Sequence, residues 1–321
     1  MHAPFRMTTV PLRRALSLGG ALAVLLAFGG CDKGGILPKF GPYAGWTRLT
    51  GASVVDPFYP DWRGGRIAYS GIAGNNFRNA IIRDDGTRDT TYSGGGAWYD
   101  LNPRWVTDSL IMFCSNRGST YDLWYLRIAD GATRRLTTYP GNEVSPAPRP
   151  GAPGLAYAEV GNTSLNGRIV LLPDTTLAAP LDRRYLTPDT LKAGEPDWDP
   201  AGSRICFSAQ GPDSTRQIWV VTIGAADTTV TRLTSGPYHD LTPRFSPDGT
   251  HIVFTSVRTG RQGVWVVSAD GEASGLKLVA FDDAGMTLST PAWSPDGHRI
   301  VVSSGGPRRP VALYILSAIG F

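Results

Sequence analysis

Beyond its first forty residues the chain alternates short apolar runs with turn residues, and nowhere sustains the i, i+3, i+4, i+7 spacing of an amphipathic helix. The phrase "FSPDGTHIVFTS" (residues 245–256) returns as "WSPDGHRIVVSS" (residues 293–304). Anchored on the proline that opens "PRFSPDG", the unit recurs at Pro60, Pro103, Pro146, Pro196, Pro243 and Pro291, with gaps of 43, 43, 50, 47 and 48 residues. A period in the forties belongs to propeller blades or to helical repeats, and the missing helical spacing leaves the propeller. Within a unit, "PDG" suits a tight turn, because Pro presets φ and Gly takes the positive φ that follows. A second Asp-Gly (Asp85-Gly86, Asp130-Gly131, Asp270-Gly271) signals another hairpin, and runs such as "RRLT" (residues 134–137) close the unit. Strand, turn, strand, loop, strand, turn, strand is a four-stranded antiparallel meander.

Inner runs such as "HIVFTS" are apolar on successive positions, as in sheets covered on both faces. The last unit stops after three strands, at "VALYILSA", whereas the chain opens with a lone fourth strand, "WTRLT" (residues 46–50). The sequence therefore predicts an all-β fold: a six-bladed β-propeller over residues 43–321, its last blade closed by the N-terminal strand. Such a latch removes two open sheet edges. The third unit, "PAPRPGAP", has neither Trp nor Asp-Gly, and a ring of five is the alternative. Trp62, Trp105, Trp198, Phe245 and Trp293 share one register, two after the anchor, which predicts packing between blades.

Composition agrees: 39 Gly and 25 Pro with only 18% charged residues suit many short strands and tight turns. "PLRRALSLGGALAVLLAFGGC" (residues 11–31) has a basic pair, an apolar stretch and small residues before a cysteine. It is short for a membrane span and reads as a leader. The expected division is a signal peptide over residues 1–30, a linker over 31–42 and the propeller over 43–321, with an uncleaved membrane anchor as the alternative. The formal charge is +4; without Arg6, Arg13 and Arg14 of the leader it is about +1, which lacks the footprint of a nucleic-acid binder. Cys114 and Cys206 lie in apolar runs of different repeats and are expected as buried free thiols rather than a disulfide.

Phe28-Gly29-Gly30-Cys31 resembles the lipobox of bacterial lipoproteins, with Phe where Leu is usual. The resemblance implies lipidation at Cys31 and a membrane-tethered, extracytoplasmic propeller; an ordinary signal peptide with an incidental cysteine is the other reading. "SPDGTHIVFTSVRTGRQGVWVVSADG", "FCSNRGSTYDLWYLRIADG" and "RLT" resemble the repeat of TolB-type β-propellers over nearly all of the chain after the leader. That resemblance implies a non-catalytic, monomeric envelope protein, periplasmic or cell-surface, that binds a protein or peptide partner over its central opening and needs no cofactor. Similar repeats form accessory domains of prolyl-oligopeptidase-like peptidases. TolB itself carries an α/β domain before its propeller, and about a dozen linker residues stand in its place here.

In such propellers the loops between blades and those between second and third strands share one face. Asp100, Glu143 and Asp240 each stand three before an anchor proline, and Glu195 stands immediately before Pro196. Arg117 and Arg258 lie in the second set of loops, and His239 is beside Asp240. A ring of carboxylates and arginines around a pore suits a polar peptide; the same residues could instead serve turns or pair with each other. The alternative function is a secreted hydrolase or lyase acting on peptide or glycan, which would need one of these carboxylates raised in pKa within a pocket. No metal-binding motif stands out, and Asp197 and Asp199 of "DWDPAG" occupy a strand-and-turn position of the repeat.

Overall fold

A computed structural model of the chain describes residues 46–50, 55–73, 75–92, 96–161, 167–175, 182–211, 213–224, 228–281, 287–306 and 309–317. The expected signal peptide, Cys31 and the expected linker lie outside the described residues. The described residues form six four-stranded antiparallel sheets with two short 3-10 turns. No helix among them is long and apolar enough to cross a membrane.

The first blade is β2 (Val55–Arg63), β3 (Arg66–Ala73), β4 (Asn76–Arg83) and β5 (Arg88–Tyr92). The second is β6 (Asp100–Thr107), β7 (Leu110–Ser115), β8 (Asp122–Arg127) and β9 (Thr133–Arg135). The irregular third repeat is a full blade: β10 (Asn142–Pro148), β11 (Leu155–Val160), β12 (Gly167–Leu172) and β13 (Arg184–Tyr185). The fourth is β14 (Gly194–Trp198), β15 (Arg204–Gln210), β16 (Arg216–Ile223) and β17 (Thr228–Arg232). The fifth is β18 (Asp240–Phe245), β19 (His251–Ser256), β20 (Gly263–Ser268) and β21 (Leu276–Phe281). The sixth joins β22 (Thr287–Trp293), β23 (Arg299–Gly306) and β24 (Arg309–Ser317) to the N-terminal strand β1 (Trp46–Arg48). First strands touch in succession, and β22 against β2 closes the ring.

The repeated phrase folds as its residues dictate. Asp248 Oδ1 accepts from Ser246 Oγ and Thr250 N at 2.5 and 3.0 Å, and Gly249 takes φ 72°. Ser294, Asp296 and Gly297 repeat the turn, and Asp199 accepts from Ser203 N and Arg204 N in the fourth blade. These turns mark a hairpin face; the loops before each first strand and between second and third strands mark the opposite loop face.

The threonine ending each "LT" phrase is a second lock. Thr137, Thr187, Thr234 and Thr50 are buried, and each hydroxyl accepts the amide of a third-strand residue: Leu123, Ile169, Ile218 and Leu313, at 2.9–3.0 Å. The last of these latches the ring, alongside Leu49 N donating to Leu313 O at 2.8 Å and Trp46 edge-on to Tyr314 at 5.8 Å.

Blade packing uses the aromatic register. Trp105 Nε1 donates to Asp61 O, Trp198 Nε1 to Ala147 O and Trp293 Nε1 to Arg244 O, each reaching the preceding blade at 3.0–3.2 Å. These five aromatic side chains are buried, and arginines stack on four of them: Arg299 on Trp62, Arg66 on Trp105, Arg149 on Trp198 and Arg204 on Phe245. Burying such rings contributes on the order of 2–3 kcal/mol each. Cys114 and Cys206 are free and buried, as expected.

Candidate functional site

On the loop face, the carboxylates and arginines meet pair by pair within blades. Asp100 begins β6, and Arg117, in the loop after β7, donates to its Oδ2 at 2.7 Å. Arg117 also donates to Thr133 Oγ1 and lies 5.1–5.4 Å from the rings of Trp98, Phe113 and Trp124. The fifth blade repeats the device: Arg258 donates to Asp240 Oδ2 at 2.5 Å, bridges to Glu272 and packs on Phe254 and Trp265. Burial pulls the Arg258 pKa down, but Asp240 and Glu272 outweigh it and the net direction is up. The two pairs are three blades apart, on opposite sides of the ring. His239 Nδ1 accepts from Arg216 N at 3.2 Å.

Glu143 holds the equivalent place in the third blade without an equivalent arginine. Its cross-strand neighbour is Glu159, which is bonded by Arg168 and Arg183. Glu143 is 0% exposed; Oε2 accepts from Thr137 Oγ1 at 3.0 Å, and Oε1 has no hydrogen-bond partner. Burial, with Asp122 and Glu159 adding, pushes its carboxyl up to about 8 against the opposing Thr137 bond and Arg183 charge.

Glu195 lies deeper, in a ring that sequence reasoning missed. The residue before every anchor proline has a left-handed backbone: Tyr59 (φ 55°), Asn102 (54°), Ser145 (52°), Glu195 (59°), Thr242 (55°) and Thr290 (46°). A following proline disfavours right-handed α geometry, and each of these positions coincides with a shift in strand register. Glu195 Oε2 ties two blades together by accepting from Ser208 Oγ and Thr242 N, both at 2.8 Å.

With Arg104 and Arg244, these six residues line a cavity of about 20 Å³ in the central channel. That is room for about one water, not for a polypeptide. The residues just after the anchors form a belt of Asp61, Arg104, Ala147, Asp197, Arg244 and Ala292. Arg104 bridges to Asp61 at 3.1 Å and bonds Asp197, while the two aspartates also accept Trp105 N and Phe245 N at 2.8 Å. Burial lowers the Arg244 pKa, with Arg104 adding; at Arg104 itself the two aspartates outweigh burial and the direction is up.

A second missed feature is aromatic. Phe58, Phe77 and Tyr99 are half-buried and form a string on the loop face of the first two blades, with centroids 6.0 Å apart at each step. Tyr59 adjoins Phe58 at 6.3 Å, and half-buried Tyr121 lies within electrostatic reach of Tyr99.

Comparison with known proteins bears on this architecture. Residues 176–315 match the TolB beta propeller domain. Over those residues, less than half of the chain, the protein is similar to propellers of the TolB type. The Tol-Pal system protein TolB of Francisella tularensis is 24% identical over 236 residues, 60% of this chain and 54% of that protein. The chain thus spans about half the length of the curated relatives it matches. TolB from Acinetobacter baumannii superposes with a TM-score of 0.61 at 18% identity, over 80% of this chain and 64% of that one. The oligogalacturonate lyase of Vibrio parahaemolyticus gives 0.55 at 14% identity, over 85% and 93%. At these identities the structures share the fold alone. The TolB-type match falls on the second half of the ring, where the "SPDG" phrases are most regular; the boxed Arg117 and the aromatic string lie outside it.

Proposed function

We propose that this chain is a non-catalytic cell-envelope binding protein, tethered through a lipidated Cys31, whose TolB-type propeller docks a protein or peptide partner on its loop face. The half-buried string of Phe58, Phe77 and Tyr99 beside the channel mouth carries the reading. Aromatic side chains are enriched at interfaces and dominate their energetics. The arginines of the ion pairs are boxed by rings, so these charges form a rigid rim rather than free ligands. With room for about one water at its centre, the channel is narrow, which supports docking over the opening rather than through it. The TolB relatives' names tie them to the Tol-Pal system, and an envelope partner follows that likeness.

The test takes the full chain as bait in envelope extract and then measures any captured protein, purified, against Phe77→Ala/Tyr99→Ala. A dissociation constant raised about ten-fold or more, with unchanged thermal unfolding, is expected. Equal affinity of parent and variant would remove the loop face as the docking surface.

A secreted hydrolase or lyase remains the second reading, favoured by one observation, the raised carboxyl of Glu143. Glu143 is fully buried, so that reading requires the third blade to open.

A further inference from the structure

At the hairpin end of the first blade the repeat carries a feature that the fold does not need. Arg63 pairs directly with Arg66 across β2 and β3, and Arg66 with Arg83 across β3 and β4. Directly opposed residues of antiparallel strands point to one face of the sheet, and like charges so placed destabilise it. The corresponding rungs elsewhere hold Thr107, Leu110 and Arg127 in the second blade, Pro148, Leu155 and Leu172 in the third, and His251 with Ser268 in the fifth. Among the described residues, three arginines share a rung only here.

The rung borders an open groove between the first and second blades. Its volume is about 480 Å³, within the range of small-molecule sites, and it is lined by Gly65, Arg66, Arg83, Thr90, Tyr92 and Ile128. Tyr92 OH donates to Ile128 O at 3.1 Å, which fixes the far wall. The Arg66 guanidinium is held over the Trp105 ring at 4.8 Å and donates to the backbone carbonyl of Asp108. The Asp108 carboxylate is bonded by Arg63 at 2.6 Å. Asp85 lies within the field of Arg83, and Asp84 is bonded by Arg299. Arg66 and Arg83 thus present two guanidinium groups to one groove.

The groove also lies on a particular side of the molecule. β1 begins at Trp46 opposite Leu316, next to Ser317, which pairs with Arg299 just after the Ser294–Gly297 turn. β1 therefore begins at the hairpin end of the sixth blade, on the face that carries the groove. On the tethered reading, a lipid at Cys31 would join the propeller through the start of β1, on the groove's face.

We propose that this groove is a binding site for a phosphate-bearing anion, with Arg66 and Arg83 as its cationic walls and a phospholipid headgroup as the source its position favours. Arginine forks suit phosphate oxygens, and a ring-stacked guanidinium loses little freedom on binding. The choice of source rests on the tethered reading; the site does not.

The test uses the full chain carrying Cys31→Ala, so that no acyl anchor contributes. Glycerol 3-phosphate is titrated by calorimetry, and vesicles of phosphatidylglycerol and of phosphatidylcholine are compared by sedimentation. Saturable binding of glycerol 3-phosphate, weakened about ten-fold or more by Arg66→Gln/Arg83→Gln and not by Arg134→Gln, establishes the site. The same loss on phosphatidylglycerol vesicles, with phosphatidylcholine unbound, establishes the headgroup; binding of the soluble anion alone keeps the site and removes the lipid source. No binding of either probe, or an equal loss in Arg134→Gln, overturns the proposal. Matched thermal unfolding of all variants excludes misfolding as the cause. Lipid labelling of the parent chain at Cys31 tests the tether separately.

Discussion

Replacing Glu143 by Gln offers the sharpest check on how the third blade is built. The carboxyl is fully buried, faces Glu159 across the strand pair, lies near Asp122, and has Thr137 as its hydrogen-bond donor, with Arg183 the nearby cation. Raising it from the ordinary 4.5 to about 8 makes its ionisation in the folded chain cost up to about 5 kcal/mol. The folded state holds this proton more tightly than the unfolded state does. Stability from the group is therefore fully present below pH 4.5, falls as pH rises, and is gone above about pH 8. The neutral amide of Glu143→Gln mimics the protonated form and lacks that slope. Urea unfolding of parent and variant at pH 5, 7 and 9 should show near-equal stability at pH 5 and a variant more stable by about 2–5 kcal/mol at pH 9. The difference between the two curves cancels the other carboxylates. Parallel curves, or a variant weaker by the same amount at every pH, would show that Glu143 ionises freely in the fold and refute the argument.

Two further outcomes follow from groups beside the channel. Arg104→Leu strands Asp61 and Asp197, both largely buried, so a loss of about 3–5 kcal/mol by denaturant titration is expected, and one below about 1 kcal/mol would show that the belt is solvated. Burial pushes the Cys114 thiol up to about 12 and the Cys206 thiol well up, so neither should react with iodoacetamide at pH 8 until the chain unfolds; mass spectrometry of native and denatured samples decides this, and rapid native labelling would contradict it.

The ring was readable because its signals are local and repeated. A proline, a Ser-Pro-Asp-Gly turn and a β-branched run fix one hairpin, and spacing multiplies it. The latch was readable from a fourth strand missing at one end and present at the other. The aromatic register forecast packing because a large ring at a constant position has few places to go. The left-handed residues were hidden, since Tyr59, Asn102, Ser145, Glu195, Thr242 and Thr290 share a backbone state and no side-chain chemistry. Charge placement was half readable. Position put Asp100 and Arg117 on one face, but only the fold shows that they bond. Glu143, in the same register, meets Glu159 where Asp100 meets Ser115 and Asp240 meets Ser256. The arginine rung of the first blade pairs residues from three strands, and no single stretch announces it.

The bond from Leu313 to Thr50 joins residues 263 positions apart. A chain made from its N-terminus has to hold its first strand in waiting until Leu313 arrives, and loop closure of that span is slow. Until then both flanks of the unfinished wheel are sticky, so assembly of this protein is most vulnerable to pairing with another copy in the interval between completion of the fifth blade and arrival of the sixth.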